Sequence, residues 1–480
     1  MDIELTIILM LSSTVVLLWL LFVKSSPAFA VYVLAGVVSL VGLNVHVGIT
    51  FYLSRTVIIF FLISLLVRAG VGKQIRIPAD VLPLYIKLFS FLLIVQFISA
   101  LFSDHVFDGI RQIFIYISLM VLFSTVIIVG SKVIIITKAI KIYLVTGLVQ
   151  GLYGIYQVIG GPLGWPSYQI LMAGIPTAND RTVDGFYYSG AYQAFRAIGF
   201  FPADVSHYAG YMVGIVLLAI ALLVHNRRSL FLYAVLVLGI MGLLFSLSRS
   251  GILALIIFGI PSLSFLLWRV VPVSQRSYWK LTKSLTPVVI MGFVLATATI
   301  FALDIDLTNV SVATFDRLSD LVEAGQNPNE SMGEHIHTRL LGLDAWASSP
   351  ILGVGPGVNS SPWFSEKYNA GWAGSHSHHI NILGDSGLLG AGLEWLLMWM
   401  AVRYMWRGLF ARRNNTPERN LLAGLMAAFI TIIFGNLFYS YFLNDFVWFL
   451  MACGVALSRA MLVEAHKESF IRTAKIIDFR

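Results

Sequence analysis

The chain has 480 residues, of which 58% are hydrophobic and only 12% are charged, and its formal net charge is +8. Soluble globular chains carry about 25% charged residues, so this composition excludes a fold whose whole surface faces water. In hydrocarbon only helices and closed barrels satisfy the backbone hydrogen bonds, and apolar runs of about 20 residues favour helices. The basic residues fall in short clusters between these runs, as membrane topology requires, which argues against nucleic acid as a partner.

The apolar windows predict an all-α, polytopic integral membrane protein with 12 to 14 transmembrane helices and a best count of thirteen. The predicted spans cover 4–23, 28–46, 50–69, 83–103, 109–130, 134–159, 206–225, 229–246, 250–270, 284–304, 380–404, 420–440 and 444–464. The first span has no positively charged leader before it and no small-residue cleavage site after it. We therefore expect a retained helix there rather than a signal peptide.

Basic clusters recur between alternate spans, and the positive-inside rule assigns those connections and the C-terminus to the cytoplasm. Two connections, of roughly 45 and roughly 75 residues, are far longer than the usual 4 to 6, and both fall on the outer side. The predicted organisation is N-terminal helices 1–160, first long extracytoplasmic loop 161–205, central helices 206–304, second long extracytoplasmic loop 305–379, C-terminal helices 380–464 and cytoplasmic tail 465–480. Long loops on one face of a rigid scaffold are typical places for binding and catalysis.

The second long loop contains a predicted amphipathic helix that lies against the outer surface. Its apolar residues recur at helical spacing, at Ile336, Leu340, Leu343 and Ala347. Pro350 ends the helix, and a glycine-rich turn follows at 353–357. Such a turn could bring backbone amides close to a phosphate, or it could serve only as a tight connection.

Residues 374–390 bring three histidines to the mouth of a predicted span, at His376, His378 and His379. Asp385 and Glu394 lie within that span, where ionisable groups are costly and indicate either a function or a structural partner. They are nine residues apart, so on a continuous helix they would face opposite sides. We therefore do not expect them to form a catalytic carboxylate pair.

Residues of the second long loop and of the span after it occur in the order of a known family signature. They are Arg339, Trp346, Pro350, Gly353, Gly355, His376-Ser377, Leu383, Gly387 and Gly390. The order resembles the C-terminal signature of the O-antigen ligase and O-antigen (Wzy-type) polymerase superfamily, and the upstream segments Arg196–Pro202 and Ser248–Gly251 fit it as well. The family histidine is commonly followed by Asn, whereas Ser377 follows here. The sequence Gly374-Ser-His-Ser377 is more similar to that of capsule and teichuronic acid polymerases than to that of lipopolysaccharide ligases.

The resemblance implies a GT-C-like membrane glycosyltransferase that acts outside the cytoplasmic membrane on glycans linked to polyprenyl diphosphate. His376 is the implied catalytic residue, because a neutral imidazole accepts a proton at neutral pH. Arginine forks suit phosphate oxygens, and the candidates for binding the diphosphate are Arg196, Arg339 and Arg249. Auxiliary candidates are His378, His379, Asp385 and Gly355. No metal and no cofactor is expected, although the histidines could alternatively bind a metal. The arginines could alternatively anchor the protein at the membrane interface, and His376 could be a solvated loop residue.

The expected function is polymerisation of lipid-linked repeat units into a surface polysaccharide such as O-antigen, capsule or exopolysaccharide. The expected location is the bacterial cytoplasmic membrane, with an extracytoplasmic active site. Expected partners are polyprenyl-diphosphate-linked glycans and, in the same pathway, a chain-length regulator and a flippase. The alternatives are a ligase that transfers the glycan to lipid A-core or protein, a polysaccharide transporter or flippase, and a purely structural membrane subunit.

Overall fold

The structure is a computed structural model that describes residues 27–40, 44–47, 49–70, 78–165, 182–183, 186–189, 194–201, 205–270, 331–368, 374–411 and 416–477. Two predicted spans, 4–23 and 284–304, lie outside these residues. So do most of the first long loop and residues 305–330 of the second. The count of thirteen spans therefore stays a prediction.

Helices dominate the described chain. In order they are α1 Ala28–Val37, α2 Leu53–Gly70, α3 Leu82–Leu101, α4 Val106–Val129, α5 Val133–Gly160, α6 Val205–Leu223, α7 Leu230–Phe245, α8 Arg249–Val270, α9 Ser331–Ser348, α10 Pro362–Tyr368, α11 His378–Leu409, α12 Pro417–Gly435 and α13 Asp445–Ile477. Five short antiparallel strands accompany them: β1 Asn44–Val47 pairs with β2 Ile49–Tyr52, and β3 Thr182–Val183, β4 Phe186–Ser189 and β5 Ala194–Phe195 form a second sheet.

Seven helices of the described part are long and apolar enough to cross a membrane, namely α3, α4, α5, α6, α8, α12 and the Asp445–Glu468 part of α13. These helices establish a multi-pass, predominantly helical membrane protein. A helix also occurs at 331–348, where the apolar spacing predicts one. α11, which overlaps the predicted span 380–404, does not belong to the seven.

One predicted span is wrong in its second half. The window 28–46 is mostly apolar, but helix α1 ends at Val37, and residues 44–52 form the β1–β2 hairpin. The hairpin sequence Val-His-Val-Gly-Ile-Thr places β-branched residues around a glycine, a pattern that favours a hairpin. A hydropathy window averages over apolar residues and so does not distinguish a strand from a helix.

The bundle packs closely because α5 presents glycines to its neighbours. A Cβ at Gly147 would lie 2.5 Å from Ile215, and one at Gly151 would lie 2.8 Å from the carbonyl oxygen of Leu238. Small residues of this kind let helix backbones approach in a membrane protein. Helices α6 and α7 therefore pack directly on α5, and α6 packs in turn on α12.

Helix α11 is broken at Gly387, whose φ of 62° and ψ of −168° are not helical. A Cβ at this position would lie 2.2 Å from the carbonyl oxygen of Ile351, so only glycine fits. The break turns the chain back so that His378, before it, contacts Glu394, after it. A straight helix would separate these two residues by about 24 Å.

Candidate functional site

The glycine-rich turn is fastened to the break in α11. The amides of Val354 and Gly355 donate to the carbonyls of Gly384 and Asp385, at 2.8 and 3.1 Å. The Asp385 carboxylate accepts a further hydrogen bond from the amide of Asn359, at 2.8 Å. These amides are committed to the protein, so the turn is a tight connection and not a phosphate cradle. The auxiliary candidates Asp385 and Gly355 thus both lie where the turn contacts the break in α11.

Asp385 and Glu394 are not related by the angle of a continuous helix, because the break at Gly387 separates them. The sequence analysis assumed one continuous helix from Asp385 to Glu394, and that assumption is wrong. Each carboxylate has its own partners: Asp385 holds the glycine turn, and Glu394 contacts His378 and Tyr116.

Helix α9 packs on α11 through small residues. Thr338, Gly342 and Ala345 are buried, and a Cβ at Gly342 would meet the side chains of Ile380 and Ser375. The predicted apolar stripe at Ile336, Leu340, Leu343 and Ala347 is instead exposed, as an amphipathic helix at a lipid interface would present it.

Arg339 lies on α9 one turn before Gly342, the residue that contacts Ser375 beside His376. Its Nε is buried and finds no hydrogen-bond partner among the described residues. Burial lowers the pKa of the Arg339 guanidinium, yet an arginine stays charged at neutral pH. A buried guanidinium nitrogen without a partner is suited to an anionic ligand.

Arg196 and Arg249 both lie at the connection between α7 and α8. Arg196 donates from Nε to the carbonyl of Ser246, at 2.8 Å, and from Nη2 to that of Leu247, at 3.0 Å. Leu247 has a φ of 49°, a conformation that this pair of hydrogen bonds helps to hold. Arg249 follows two residues later as the first residue of α8. Arg196 therefore supports the backbone on which Arg249 is presented.

Two of the three clustered histidines have both ring nitrogens engaged. His378 Nε2 lies 2.6 Å from Glu394 Oε1, and His378 Nδ1 lies 3.4 Å from Ser440 Oγ. His379 Nε2 lies 2.9 Å from the carbonyl of Ile433, and its Nδ1 accepts from Trp395 Nε1 at 3.0 Å. His378 and His379 are therefore held in place by the helices and side chains around them.

His376 stands between tightly held neighbours. The Ser375 hydroxyl donates to Asn381 Oδ1 at 2.7 Å, and the Ser377 hydroxyl donates to the carbonyl of Asn436 at 3.1 Å. Ser377, which stands where the family commonly has Asn, therefore ties this segment to the end of α12. His376 itself has a φ of 52°, rare for a residue with a Cβ, and such conformations concentrate at functional sites.

The connection between α12 and α13, residues 436–444, joins the parts of the site. The Tyr439 ring lies 5.9 Å from that of His376 and 5.4 Å from that of His207. The Tyr441 hydroxyl donates to Ser250 Oγ at 3.0 Å, next to Arg249. The carbonyl of Ser440 lies 2.8 Å from His207 Nε2. We call residues 436–444 the α12–α13 segment; through it the Arg249 region and His376 meet at one end of the bundle.

The sequence did not single out the α12–α13 segment or His207. Tyr439-Ser-Tyr441 lies at the end of a predicted span, where aromatic residues are ordinarily read as an interface belt. The signal in the sequence that could have indicated this part of the site is Ser440, a polar residue between two tyrosines at the end of a predicted span. In the described part of the chain, no three His, Cys, Asp or Glu side chains are grouped as metal ligands.

The apolar helices define a multi-pass membrane protein. At one end of the bundle, residues from several helices form a polar site that contains histidine and arginine. Residues 234–393 match the family model described as O-antigen ligase, which confirms the resemblance to the O-antigen ligase and polymerase superfamily. No curated protein matches the chain. Arg249, Arg339 and His376 fall inside the matched region, whereas Arg196 and the α12–α13 segment fall outside it.

Proposed function

We propose that the protein is a membrane glycosyltransferase that polymerises polyprenyl-diphosphate-linked oligosaccharide repeat units into a surface polysaccharide. The observation that carries this proposal is the meeting of His376 with the Arg249 region across the α12–α13 segment. A base and permanently charged anion-binding groups are what transfer from a diphosphate requires. The O-antigen ligase match over 234–393 supports the same class of reaction.

The donor side of the site is built from arginines. Arg339 offers a buried Nε, and Arg249 stands at the start of α8 beside the serines of the Ser248–Gly251 motif. Both would bind the diphosphate and stabilise the charge that develops on it as the glycosidic bond breaks. Arg196 acts on the same subsite indirectly, because it supports the backbone before Arg249.

The acceptor side centres on His376. The acceptor hydroxyl oxygen attacks the anomeric carbon of the donor sugar while the bond from that carbon to the diphosphate oxygen breaks. The hydroxyl proton passes to the His376 imidazole, and the polyprenyl diphosphate departs with the bonding electron pair. The product is a glycan longer by one transfer, carried on the acceptor lipid. No metal or other cofactor has a step in this scheme.

The outer face of the cytoplasmic membrane is the proposed place of reaction. The basic clusters at the opposite ends of the helices support a cytoplasmic location for those ends and for the C-terminus. The polar site lies at the ends of α6, α8 and α12 that face away from those clusters. A flippase would deliver the lipid-linked units to this side, and a chain-length regulator would limit the product.

The nearest alternative is a ligase that transfers the finished glycan to lipid A-core or to a protein. It would use the same donor arginines and the same base, and the O-antigen ligase match favours it as a second candidate. The transporter alternative gains no support from that match, because the family transfers glycans.

Deletion of the gene separates the two candidates. For a polymerase, we expect single repeat units at the cell surface and no ladder of longer chains. For a ligase, long polymer would accumulate on polyprenyl diphosphate. A normal chain-length ladder on its usual acceptor in the deletion strain would contradict both.

A further inference from the structure

Four side chains beneath the site form a hydrogen-bonded chain. The Tyr116 hydroxyl donates to one oxygen of the Glu394 carboxylate, and the other oxygen lies 2.6 Å from His378 Nε2. His378 Nδ1 then lies 3.4 Å from Ser440 Oγ. The side chains of Glu394 and His378 are only 0% and 3% exposed, whereas Ser440 is partly exposed. Tyr116, Glu394 and Ser440 all lie outside the region that matches the family model.

The donors and acceptors of this chain have a fixed direction. A carboxylate only accepts hydrogen bonds, so Glu394 receives one from Tyr116 and one from the Nε2–H of His378. A neutral imidazole protonated at Nε2 carries a bare Nδ1. The Ser440 O–H therefore donates to Nδ1, and the lone pairs of Ser440 Oγ remain as acceptors only.

Ser440 lies in the α12–α13 segment, which contacts the region around His376. It is adjacent in sequence to Tyr439, whose ring contacts those of His376 and His207. Its own carbonyl is held by His207 Nε2 at 2.8 Å. His378 thus holds the Ser440 hydroxyl, and His207 holds the Ser440 backbone carbonyl. Such double support is what positions a binding group on a connecting segment.

We propose that Ser440 binds a hydroxyl group of the acceptor sugar and that Tyr116, Glu394 and His378 are positioning residues that orient it. This inference rests on the proposed function. A group that only accepts hydrogen bonds pairs with a sugar hydroxyl, which donates, and not with the oxygens of an ionised diphosphate, which also accept. Ser440 therefore belongs to the acceptor subsite, beside the base His376, and apart from the donor arginines.

The test uses the purified full-length protein in lipid nanodiscs. The donor is the lipid-linked repeat unit extracted from cells that lack the gene, and the acceptor probe is the same glycan released from its lipid by mild acid. For Ser440→Ala we expect the KM for the released glycan to rise roughly five- to tenfold, the effect of one hydrogen bond, with kcat within about twofold. Inhibition by a polyprenyl diphosphate should be unchanged.

Two variants serve as controls. Ser440→Thr keeps the hydroxyl and should restore most of the KM. Ser458→Ala removes a buried serine of α13 whose hydroxyl only donates to the carbonyl of Gly454 in its own helix, and it should leave both constants unchanged. Both are compared with Ser440→Ala at equal amounts of folded protein, measured by thermal unfolding.

The positioning residues are tested by their coupling to Ser440. His378→Gln and Glu394→Gln should each raise the KM for the released glycan, and combining either with Ser440→Ala should add little, because all act through one hydroxyl. Full additivity would overturn the positioning role. An unchanged KM in Ser440→Ala, or a change in inhibition by polyprenyl diphosphate instead, would overturn the assignment of Ser440. Wild-type protein that forms no product would contradict the proposed function itself, which is a separate result.

Discussion

Three neighbouring histidines, His376, His378 and His379, have distinct surroundings. His378 is enclosed between Glu394 and Ser440, and His379 is held between Ile433 and Trp395. Only His376 combines a left-handed backbone with a position next to the tyrosines of the α12–α13 segment. The resemblance implies His376 as the catalytic residue, and the auxiliary candidates His378 and His379 have hydrogen-bond partners in the structure.

The two arginines at the ends of the proposed donor subsite should respond differently to substitution. Arg339→Ala removes a buried nitrogen that has no partner among the described residues, so we expect inhibition by a polyprenyl diphosphate to weaken roughly 10- to 100-fold with little change in stability. Arg196→Ala leaves two carbonyls without their donors and should lower the free energy of unfolding by about 1–3 kcal/mol.

Thermal unfolding and inhibition assays on the same preparations measure both effects. Arg339→Lys, which keeps the charge but loses the planar fork, should recover part of the binding. Equal losses of stability in Arg339→Ala and Arg196→Ala would contradict the division between a ligand-binding and a supporting arginine.

At the scale of elements, the broken helix α11 sets the geometry of the site. Gly387 reverses the chain, and its neighbours Leu388 and Leu389 donate to the carbonyls of Pro350 and Ile351. The glycine turn and the break thereby hold each other, with the Asp385 carboxylate between them. His378 and Glu394 come into contact only because of this reversal.

Gly387→Ala should be strongly destabilising, because the new Cβ meets the Ile351 carbonyl and the φ of 62° disfavours a side chain. We expect a loss of about 1–3 kcal/mol in the free energy of unfolding. The matched control is Gly392→Ala in the same helix, where a Cβ has nothing within 4 Å and the higher helix propensity of alanine should leave stability unchanged or slightly raised. Thermal unfolding of both variants in one detergent gives the comparison, and similar curves would show that the break is not fixed by Gly387.

Helix positions were largely predictable from sequence, and the break was not. The windows 83–103 and 109–130 correspond to α3 Leu82–Leu101 and α4 Val106–Val129, because hydropathy over about 20 residues reports burial in lipid directly. Gly387 lies inside the predicted span 380–404, and a glycine inside a membrane helix is ordinarily a packing residue. Its role depends on Ile351, which is 36 residues earlier in the chain and invisible to a local pattern.

At the scale of the whole molecule, several parts of the chain form the site. They are the α5–α6 connection, the α7–α8 connection, helices α9 and α11, and the α12–α13 segment. The family resemblance located Arg249, Arg339 and His376 from local motifs, and the match over 234–393 covers all three. It did not locate His207, Tyr439 or Ser440, because their place beside His376 follows from helix packing and not from spacing. The sequence therefore named the proposed reacting groups, and only the structure shows which residues surround His376.

The central claim is that His376 is the base of a glycosyl transfer between lipid-linked glycans. Removing a general base costs about 100-fold or more in rate, so His376→Ala should form product at 1% of the wild-type rate or below. His466→Ala alters an exposed histidine near the far end of α13 and should retain full activity.

The most direct measurement is the rate at which purified protein in nanodiscs converts extracted lipid-linked repeat units into longer chains, with both variants at equal amounts of folded protein. We predict a ladder of chains with wild-type protein and His466→Ala, and only single units with His376→Ala, at unchanged inhibition by a polyprenyl diphosphate. Chain growth by His376→Ala at the wild-type rate would contradict the account.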